Sequence, residues 1–204
     1  MSDELHLFPL QTVLFPGGRM TLRIFERRYL DLVSHCLRND RDFGVCLIQD
    51  GHETGEAARP HNVGTSVRII DWDQRRDGLL GITVAGQQRF EIVEREAPQG
   101  QAQRARVRWL AGPPPAAPLA AELQPLADLL ARILDQLGGV YGSMPRRLDD
   151  ADWVSARLSE LLPIPTEAKQ LLLEIDAPAE RLELLRQALA TASGSVHDDD
   201  GDGG

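Results

Sequence analysis

The prevailing hydrophobic period of this 204-residue chain changes at a proline-rich run over residues 113–118. Before the run, apolar and polar residues alternate in short segments, which is typical of half-buried β-strands. After it, leucines recur every three or four residues, as on one face of an α-helix. Proline is excluded from helix interiors and favours extended backbone, so the run predicts a linker. We therefore expect an α+β protein, with a strand-rich domain over residues 1–112 and a helical domain over residues 119–192.

The opening of the chain predicts two β-strands separated by a sharp turn. Met20, Leu22 and Ile24 lie two residues apart, so they share one face of a strand. The segment Pro16–Gly18 precedes them and favours a turn, because proline cannot donate to a β-ladder and glycine reaches positive φ. A second proline, Pro9, indicates that the strand before the turn is an edge or a bulged strand that pairs imperfectly.

The rest of the first domain predicts one helix and several further strands. Apolar residues at helical spacing predict a helix from about Glu26 to Asn39, and residues 43–48, apolar or small on both faces, are typical of a central strand. Residues 50–64 are polar and glycine-rich, and they predict a long loop. Four segments with a period of two follow, separated by a turn at residues 76–78 and by a break or bulge at 85–87: TSVRIIDW, GLLGITVAG, QRFEIVERE and QRARVRWL. We expect an antiparallel, partly closed β-barrel that carries one helix.

Four helices are predicted after the linker. The first spans about residues 119–137, and Pro125 should either kink it or mark its true start. Asp149 or Asp150 is a suitable N-cap for the second helix, because an aspartate carboxylate can accept hydrogen bonds from unpaired N–H groups of the first turn. By the same reasoning Thr166 is expected to cap the third helix and Asp176 the fourth. These helices should pack as a bundle through their leucine faces.

Composition and charge predict an ordinary cytoplasmic protein with no membrane partner. The chain is 42% hydrophobic and 26% charged, and no run approaches the roughly 18 consecutive apolar residues of a membrane span. The N-terminus lacks the basic and apolar regions of a signal peptide. The net charge of −9 resides entirely in residues 113–204. Residues 193–204 are rich in acids without an apolar period, so we expect a disordered acidic tail.

Three segments resemble the N-terminal, substrate-binding domain of Lon proteases, and together they cover about residues 5–190. The first is LFPLQTVLFPG with MTLRIF and ERRY, the second is HNVGTSVRII with DGLLGITVAGQQRFEI, and the third is LSELLPIPTEAKQLLLEIDAPAERLELL. The resemblance implies a PUA-like β-barrel followed by helices, and a role in recognising protein substrates. It does not by itself imply an activity, because fold and site are separate questions. We expect a stand-alone protein of this kind.

The sequence holds no recognisable catalytic motif. An ATPase would need a G-x-x-x-x-G-K-[ST] loop, but the one lysine of the chain, Lys169, lies in no such run. A Ser–Lys peptidase needs a lysine that is desolvated beside a serine, whereas Lys169 matches the substrate-binding pattern. No G-x-S-x-G elbow is present either. We therefore expect no enzymatic activity and no cofactor; a small hydrolase with an unrecognised triad is an alternative.

The histidines and cysteines predict no metal site and no disulfide framework. A zinc site could be drawn from His35, Cys36 and Cys46 together with His52 or His61, but their spacing fits no compact ligand pair. The two cysteines are expected to be reduced and packed in the core.

The functional signal that remains is directed at polypeptides. The apolar residues of the opening segment exceed what one buried strand face needs, and exposed apolar side chains beside an imperfect strand edge suit extended chains. We hypothesise a non-catalytic module that binds apolar or unfolded polypeptide segments, as an adaptor to a protease or chaperone. The residues expected to make contact are Phe15, Pro16, Met20, Leu22 and Ile24.

RNA binding is a further alternative, because PUA-like barrels often bind RNA. Eight arginines fall in residues 68–108, and alternate strand positions would place some of them on one outer face. Six acids are interleaved with them, however, and a net charge of −9 is poorly suited to neutralising phosphates. Nucleic acid is therefore the weaker hypothesis.

Overall fold

The computed structural model describes residues 3–112, 118–138, 141–142 and 144–194. In this part of the chain the strands and helices follow one another as β1 (Glu4–Leu10), β2 (Arg19–Ile24), α1 (Arg27–Asn39), β3 (Phe43–Asp50), β4 (Arg59–Pro60), β5 (Val63–Gln74), β6 (Leu80–Glu96), β7 (Arg104–Trp109), α2 (Gln124–Gln136), α3 (Ala151–Leu161), α4 (Thr166–Glu174) and α5 (Pro178–Gly194). A single 3₁₀ turn, Ala121–Leu123, leads into α2. The predicted α+β class is confirmed.

Five strands form a ring, in the order β1-β7-β6-β5-β3, and a short ladder between β1 and β3 joins its ends. The β1–β3 ladder is parallel, whereas the other described ladders are antiparallel. The small strand β4 pairs with β3, and β2 pairs with β6 outside the ring. The predicted antiparallel, partly closed barrel with one helix is therefore confirmed, except that β1 and β3 run in the same direction.

The 17-residue strand β6 organises the ring. Its first half pairs with β2 and β5, and its second half pairs with β5 and β7. Two separate strands were predicted here; the structure shows one strand with a bulge, where the β5 register shifts between Thr65 and Val67, opposite Gly86. Glycine is required at this bulge, because a β-carbon on Gly86 would collide with the carbonyl oxygen of Phe15.

Helix α1 packs its apolar stripe against the inner face of the sheet. Tyr29, Leu32, Val33 and Cys36 are buried in one cluster with apolar residues of β1, β2, β3, β5 and β6. Strand β3 is buried on both faces over most of its length, as its composition predicts. The predicted loop at residues 50–64 is shorter than expected, because β4 forms within it and β5 already begins at Val63.

Two features of the helical region agree with predictions made from single residues. Pro125 lies in the first turn of α2, so it marks the start of the helix instead of kinking it. Asp150 caps α3, where its carboxylate accepts hydrogen bonds from the backbone N–H groups of Asp152 and Trp153.

The other two predicted caps are wrong. Thr166 is the first residue of α4, and the N-cap position belongs to Pro165, which makes no side-chain hydrogen bond. Helix α5 begins at Pro178, so Asp176 lies one residue too early to cap it. The Asp176 carboxylate instead forms an ion pair with Arg89 of β6.

The helices pack directly on the ring of strands. Phe15, from the turn before β2, is fully buried in the same apolar cluster as the leucines of α2, α3, α4 and α5. Arg89 of β6 donates a hydrogen bond of 2.8 Å to the carbonyl oxygen of Leu173 at the end of α4. Gln170 of α4 donates one of 3.1 Å to the carbonyl oxygen of Val63 in β5. The strand and helix regions thus share buried contacts.

Parts of the predicted linker and tail lie outside the described residues, namely 113–117 and 195–204. Helix α5 continues to Gly194, two residues into the segment predicted as a tail. No described helix combines the length and apolar character that crossing a membrane would require.

Candidate polypeptide-binding groove

A groove runs along β2 where no other described strand pairs with its outer edge. One wall consists of five successive residues, Thr21–Phe25, and the opposite wall comes from β1, α1 and the loop after β3. The cavity measures about 280 Å³ and its lining is mostly apolar. We call it the β2 groove, and its residues are Phe8, Leu10, Thr21, Leu22, Arg23, Ile24, Phe25, Glu26, Tyr29, Glu53 and Thr54.

The hydrogen-bond phase of β2 determines which backbone groups point into the groove. Gly86 of β6 donates its N–H to the carbonyl oxygen of Gly18 at 2.9 Å, just before β2 begins. Bonded and non-bonded residues alternate along an antiparallel ladder, so Met20, Leu22 and Ile24 direct their backbone groups at β6. The N–H and C=O groups of Thr21 and Arg23 consequently point away from β6. We call these groups the free edge of β2.

Aromatic stacking and hydrogen bonds hold the opposite wall in place. The rings of Phe8 and Tyr29 are stacked, with centroids 3.9 Å apart. Arg28 lies 4.7 Å above the Tyr29 ring and donates a hydrogen bond to the carbonyl oxygen of Glu53 at 3.3 Å. The carboxylate of Glu53 in turn accepts a hydrogen bond of 2.6 Å from the backbone N–H of Gln11. The loop after β3 is therefore attached to both α1 and the segment after β1.

Phe25 is the exposed apolar side chain of the groove. It follows β2 directly and is 57% exposed, although Ile24 beside it is almost fully buried. Exposed aromatic side chains on a concave surface are typical of binding sites, because burying a phenylalanine contributes about 1.5–3 kcal/mol.

The five sequence-predicted contact residues do not all lie at one site. Leu22 and Ile24 line the groove, and both are largely buried in the core beneath it. Met20 lies on the same strand face, is partly buried and packs against that core. Phe15 and Pro16 lie near the helices, outside the groove. The structure thus brings two of the five residues into one cavity.

The turn before β2 rests on a buried ion pair in α3. The Arg157 guanidinium lies 3.0 Å from the Glu160 carboxylate, and their side chains are 0% and 5% exposed. Arg157 also donates a hydrogen bond of 3.0 Å to the carbonyl oxygen of Pro16. Burial raises the pKa of Glu160 to about 7, against the opposing effect of Arg157. This pair fixes where β2, and hence the groove, begins.

A second cavity of about 280 Å³ contains a histidine pair but no hydroxyl or thiol group among the described residues that line it. The His6 and His35 rings lie 5.1 Å apart, and burial, followed by the charges of His35 and Arg104, lowers the pKa of His6. None of the described residues that line this cavity is Ser, Thr or Cys. Burial also raises the pKa of Cys36 to about 11 and that of Cys46 to about 12, so neither thiol is activated. The described residues contain no cluster of three or more His, Cys, Asp or Glu that could hold a metal ion.

The arginines considered for RNA binding are largely engaged with protein groups. Arg89 is 4% exposed and directed at α4, so it is not part of any surface. Three others on strands form ion pairs with acids, in the pairs Arg68–Asp42, Arg106–Glu94 and Arg108–Glu91. A phosphate would have to compete with these carboxylates, which does not favour the RNA hypothesis.

Comparison with known proteins accounts for almost the whole chain. The family model of the ATP-dependent protease La (Lon) substrate-binding domain matches residues 4–191. The chain is 24% identical to a Lon protease of Anaeromyxobacter dehalogenans over 91% of its length, and 24% identical to Lon protease 2 of Myxococcus xanthus over 93%. It spans only 23% and 24% of those two proteins.

Solved structures agree with this match. The crystal structure of a Lon N-terminal domain protein from Xanthomonas campestris is 40% identical, with a TM-score of 0.75, over 90% of this chain and 97% of that one. The N-terminal domain of a Mycobacterium avium complex Lon protease shares the fold at 17% identity and a TM-score of 0.61, over 89% of this chain and 95% of that one. Over the matched residues only the non-catalytic domain is present, and no protease domain is evident. The chain belongs to the Lon substrate-binding domain family, whose homology implies recognition of substrates for proteolysis.

Proposed function

We propose that this chain is a non-catalytic module that binds exposed apolar segments of unfolded polypeptides in the β2 groove. The observation that carries the proposal is the union, in one cavity, of a free strand edge, an apolar lining and the exposed ring of Phe25. Native proteins bury their apolar segments and pair their strands, so a site of this kind discriminates unfolded from folded chains.

Further exposed apolar residues lie on the same three-stranded layer of β2, β6 and β5. Trp72 of β5 and Leu22 of β2 are both paired with Ile82 of β6, so the three residues form one row across the layer. Trp72 is 61% exposed and Ile70 is 46% exposed. Because Ile82 separates Trp72 from the groove and is fully buried, these side chains form a second apolar patch that an unfolded chain can also contact.

The wider role that we propose is that of an adaptor. The Lon proteases of Anaeromyxobacter dehalogenans and Myxococcus xanthus match this chain over about a quarter of their own length. We infer that a polypeptide captured here is passed to a protease or chaperone.

Binding to one protein in two states tests the proposal. Reduced, carboxymethylated α-lactalbumin is permanently unfolded, whereas the calcium-bound protein is native. Fluorescence anisotropy should show binding of the unfolded form and none of the native form. Equal affinity for the two forms, or binding of neither, would contradict the proposal.

Two matched variants then locate the site. Phe25→Ser should weaken binding of the unfolded form by about tenfold or more, because it removes an exposed aromatic contact. Leu171→Ser is the control, since Leu171 is 65% exposed but lies on α4, outside the groove. If both variants bind like the unmodified protein, the site lies elsewhere.

A further inference from the structure

We infer that the groove takes its polypeptide as an added β-strand, paired through the backbone to the free edge of β2. This inference rests on the proposed function and narrows its substrate class. The preferred substrates would be extended segments with free amide groups and with apolar side chains at alternate positions, in place of helical or proline-rich segments.

The first support is the continuity of the edge along the cavity. Residues Thr21–Phe25 all line the groove, and an extended strand of this length covers about 13 Å. Along it, Thr21 and Arg23 each present one N–H and one C=O without a partner strand among the described residues. The side chains of Thr21 and Arg23 are exposed.

The second support is the small size of the cavity. A paired strand lies about 4.8 Å from its neighbour, whereas a helix with its side chains is about 10 Å across. A wall built by Phe8, Leu10 and Glu53 faces β2 across a volume of about 280 Å³. A cavity of this volume suits one extended strand better than a helix.

The same wall argues against a second copy of this chain as the occupant. In each copy β2 is backed by β6 along its whole length, from Arg19 to Ile24. If β2 of a second copy paired at the free edge, the β6 behind it would have to occupy the space of the wall. A single added strand has no second strand behind it, so it does not need the space of the wall.

The alternation of side chains gives the inference its sequence preference. Every second side chain of an added strand would lie on the face of Leu22 and Ile24, which is also the face of Phe8 and Tyr29. These positions should favour apolar residues. The intervening side chains would lie beside Thr21 and Arg23, which are exposed, so they should tolerate polar residues.

Amide hydrogen exchange tests this inference directly. The probe is a labelled octapeptide with valine and phenylalanine at alternate positions, threonine between them and lysine at each end. In the free protein the amides of Thr21 and Arg23 should exchange quickly, while those of Leu22 and Ile24 are protected by β6. Saturating peptide should slow exchange at Thr21 and Arg23 by about tenfold or more.

Each other outcome has a distinct meaning. Peptide binding without new protection at Thr21 and Arg23 would overturn strand addition but leave the proposed function intact. If neither the octapeptide nor unfolded α-lactalbumin binds, both proposals fall. Protection of both amides in the free protein, together with a concentration-dependent dimer in sedimentation, would overturn the inference in favour of a second copy.

A proline substitution provides an independent test. Thr21→Pro removes an N–H that points away from β6, and an edge strand tolerates proline there. It should weaken octapeptide binding by about five- to tenfold, since one hydrogen bond is lost and the edge is blocked. Arg76→Pro is the control, because Arg76 occupies the second position of the Arg75–Gly78 turn, where proline is favoured. Equal affinity of the two variants would contradict strand addition.

Discussion

The backbone N–H of Phe15 donates a hydrogen bond of 2.8 Å to the carboxylate of Glu160, which lies 145 residues further along the chain. This bond joins the turn before β2 to helix α3 in the interior of the molecule. Arg157 completes the contact, because it binds both Glu160 and the carbonyl oxygen of Pro16. The position of the edge strand that forms the groove is thus set by two buried side chains of the helical region, Arg157 and Glu160.

The stability of the fold should depend on the titration of Glu160. Its folded-state pKa is raised to about 7 by burial, whereas an unfolded glutamate titrates near 4.5. The stabilisation by the protonated group is therefore complete below pH 4.5 and is lost as the pH rises through 7, by about 3 kcal/mol. Urea unfolding should show that the unmodified protein loses this stability between pH 5 and pH 8. The Glu160→Gln variant, in which residue 160 cannot titrate, should not lose it.

The decisive quantity is the difference in unfolding free energy between the unmodified protein and the Glu160→Gln variant. His6 has a lowered pKa, so its own contribution rises with pH up to its unfolded value of 6.5 and opposes that of Glu160. Because His6 is present in both proteins, it cancels in the comparison. A difference in unfolding free energy that is the same at pH 5 and pH 8 would refute the assignment.

Gly18 should not tolerate a side chain. A β-carbon there would collide with the Glu160 carboxylate and with the side chain of Leu14. We expect Gly18→Ala to cost about 1–3 kcal/mol of unfolding free energy, as overpacking of a close-packed site typically does. Gly112→Ala is the matched control, since a β-carbon on Gly112 meets no atom of the described residues within 4 Å. Equal urea midpoints of the two variants would show that the structure accommodates a β-carbon at position 18 with little loss of unfolding free energy.

Substitution of Arg89 should reduce stability more than substitution of its ion-pair partner, Asp176. Arg89 is buried and donates to the carbonyl oxygen of Leu173, so Arg89→Ala leaves this buried acceptor unpaired and should cost about 3 kcal/mol. Asp176 is 84% exposed, and Asp176→Ala should cost less than about 1 kcal/mol. Chemical denaturation of the two variants measures both costs, and a reversed order would mean that the ion pair dominates.

The two thiols should be unreactive until the protein unfolds. Burial raises the pKa of Cys36 to about 11 and that of Cys46 to about 12, so little thiolate exists at pH 8. An Ellman titration should label neither thiol rapidly in the native protein and both in urea. Rapid labelling of native Cys46 would indicate that β3 opens to solvent.

Features that depend on neighbours in sequence were predictable, whereas features that depend on distant contacts were not. The alternation of Met20, Leu22 and Ile24 predicted β2, and the turn at residues 76–78 predicted the hairpin, because both are local patterns. The burial of Arg157 was not predictable, since charged side chains are normally exposed and its partner Pro16 is 141 residues away.

The candidate site likewise combines features that local sequence predicted with features that depend on distant contacts. Leu22 and Ile24 were expected at a binding surface and do line the groove. The sequence carried no local signal for the second wall, because Glu53 reaches it only through the fold of the loop after β3. The exposure of Phe25 beside the buried Ile24 likewise depends on where β2 ends.

Photo-crosslinking tests most directly whether the β2 groove holds polypeptide. p-Benzoylphenylalanine would replace Phe25 in one variant and Leu171 in another, both of which are exposed positions. On irradiation with unfolded, carboxymethylated α-lactalbumin, the variant at position 25 should form a crosslink and the variant at position 171 should not. Equal crosslinking from both positions, or crosslinking from position 171 alone, would contradict the account.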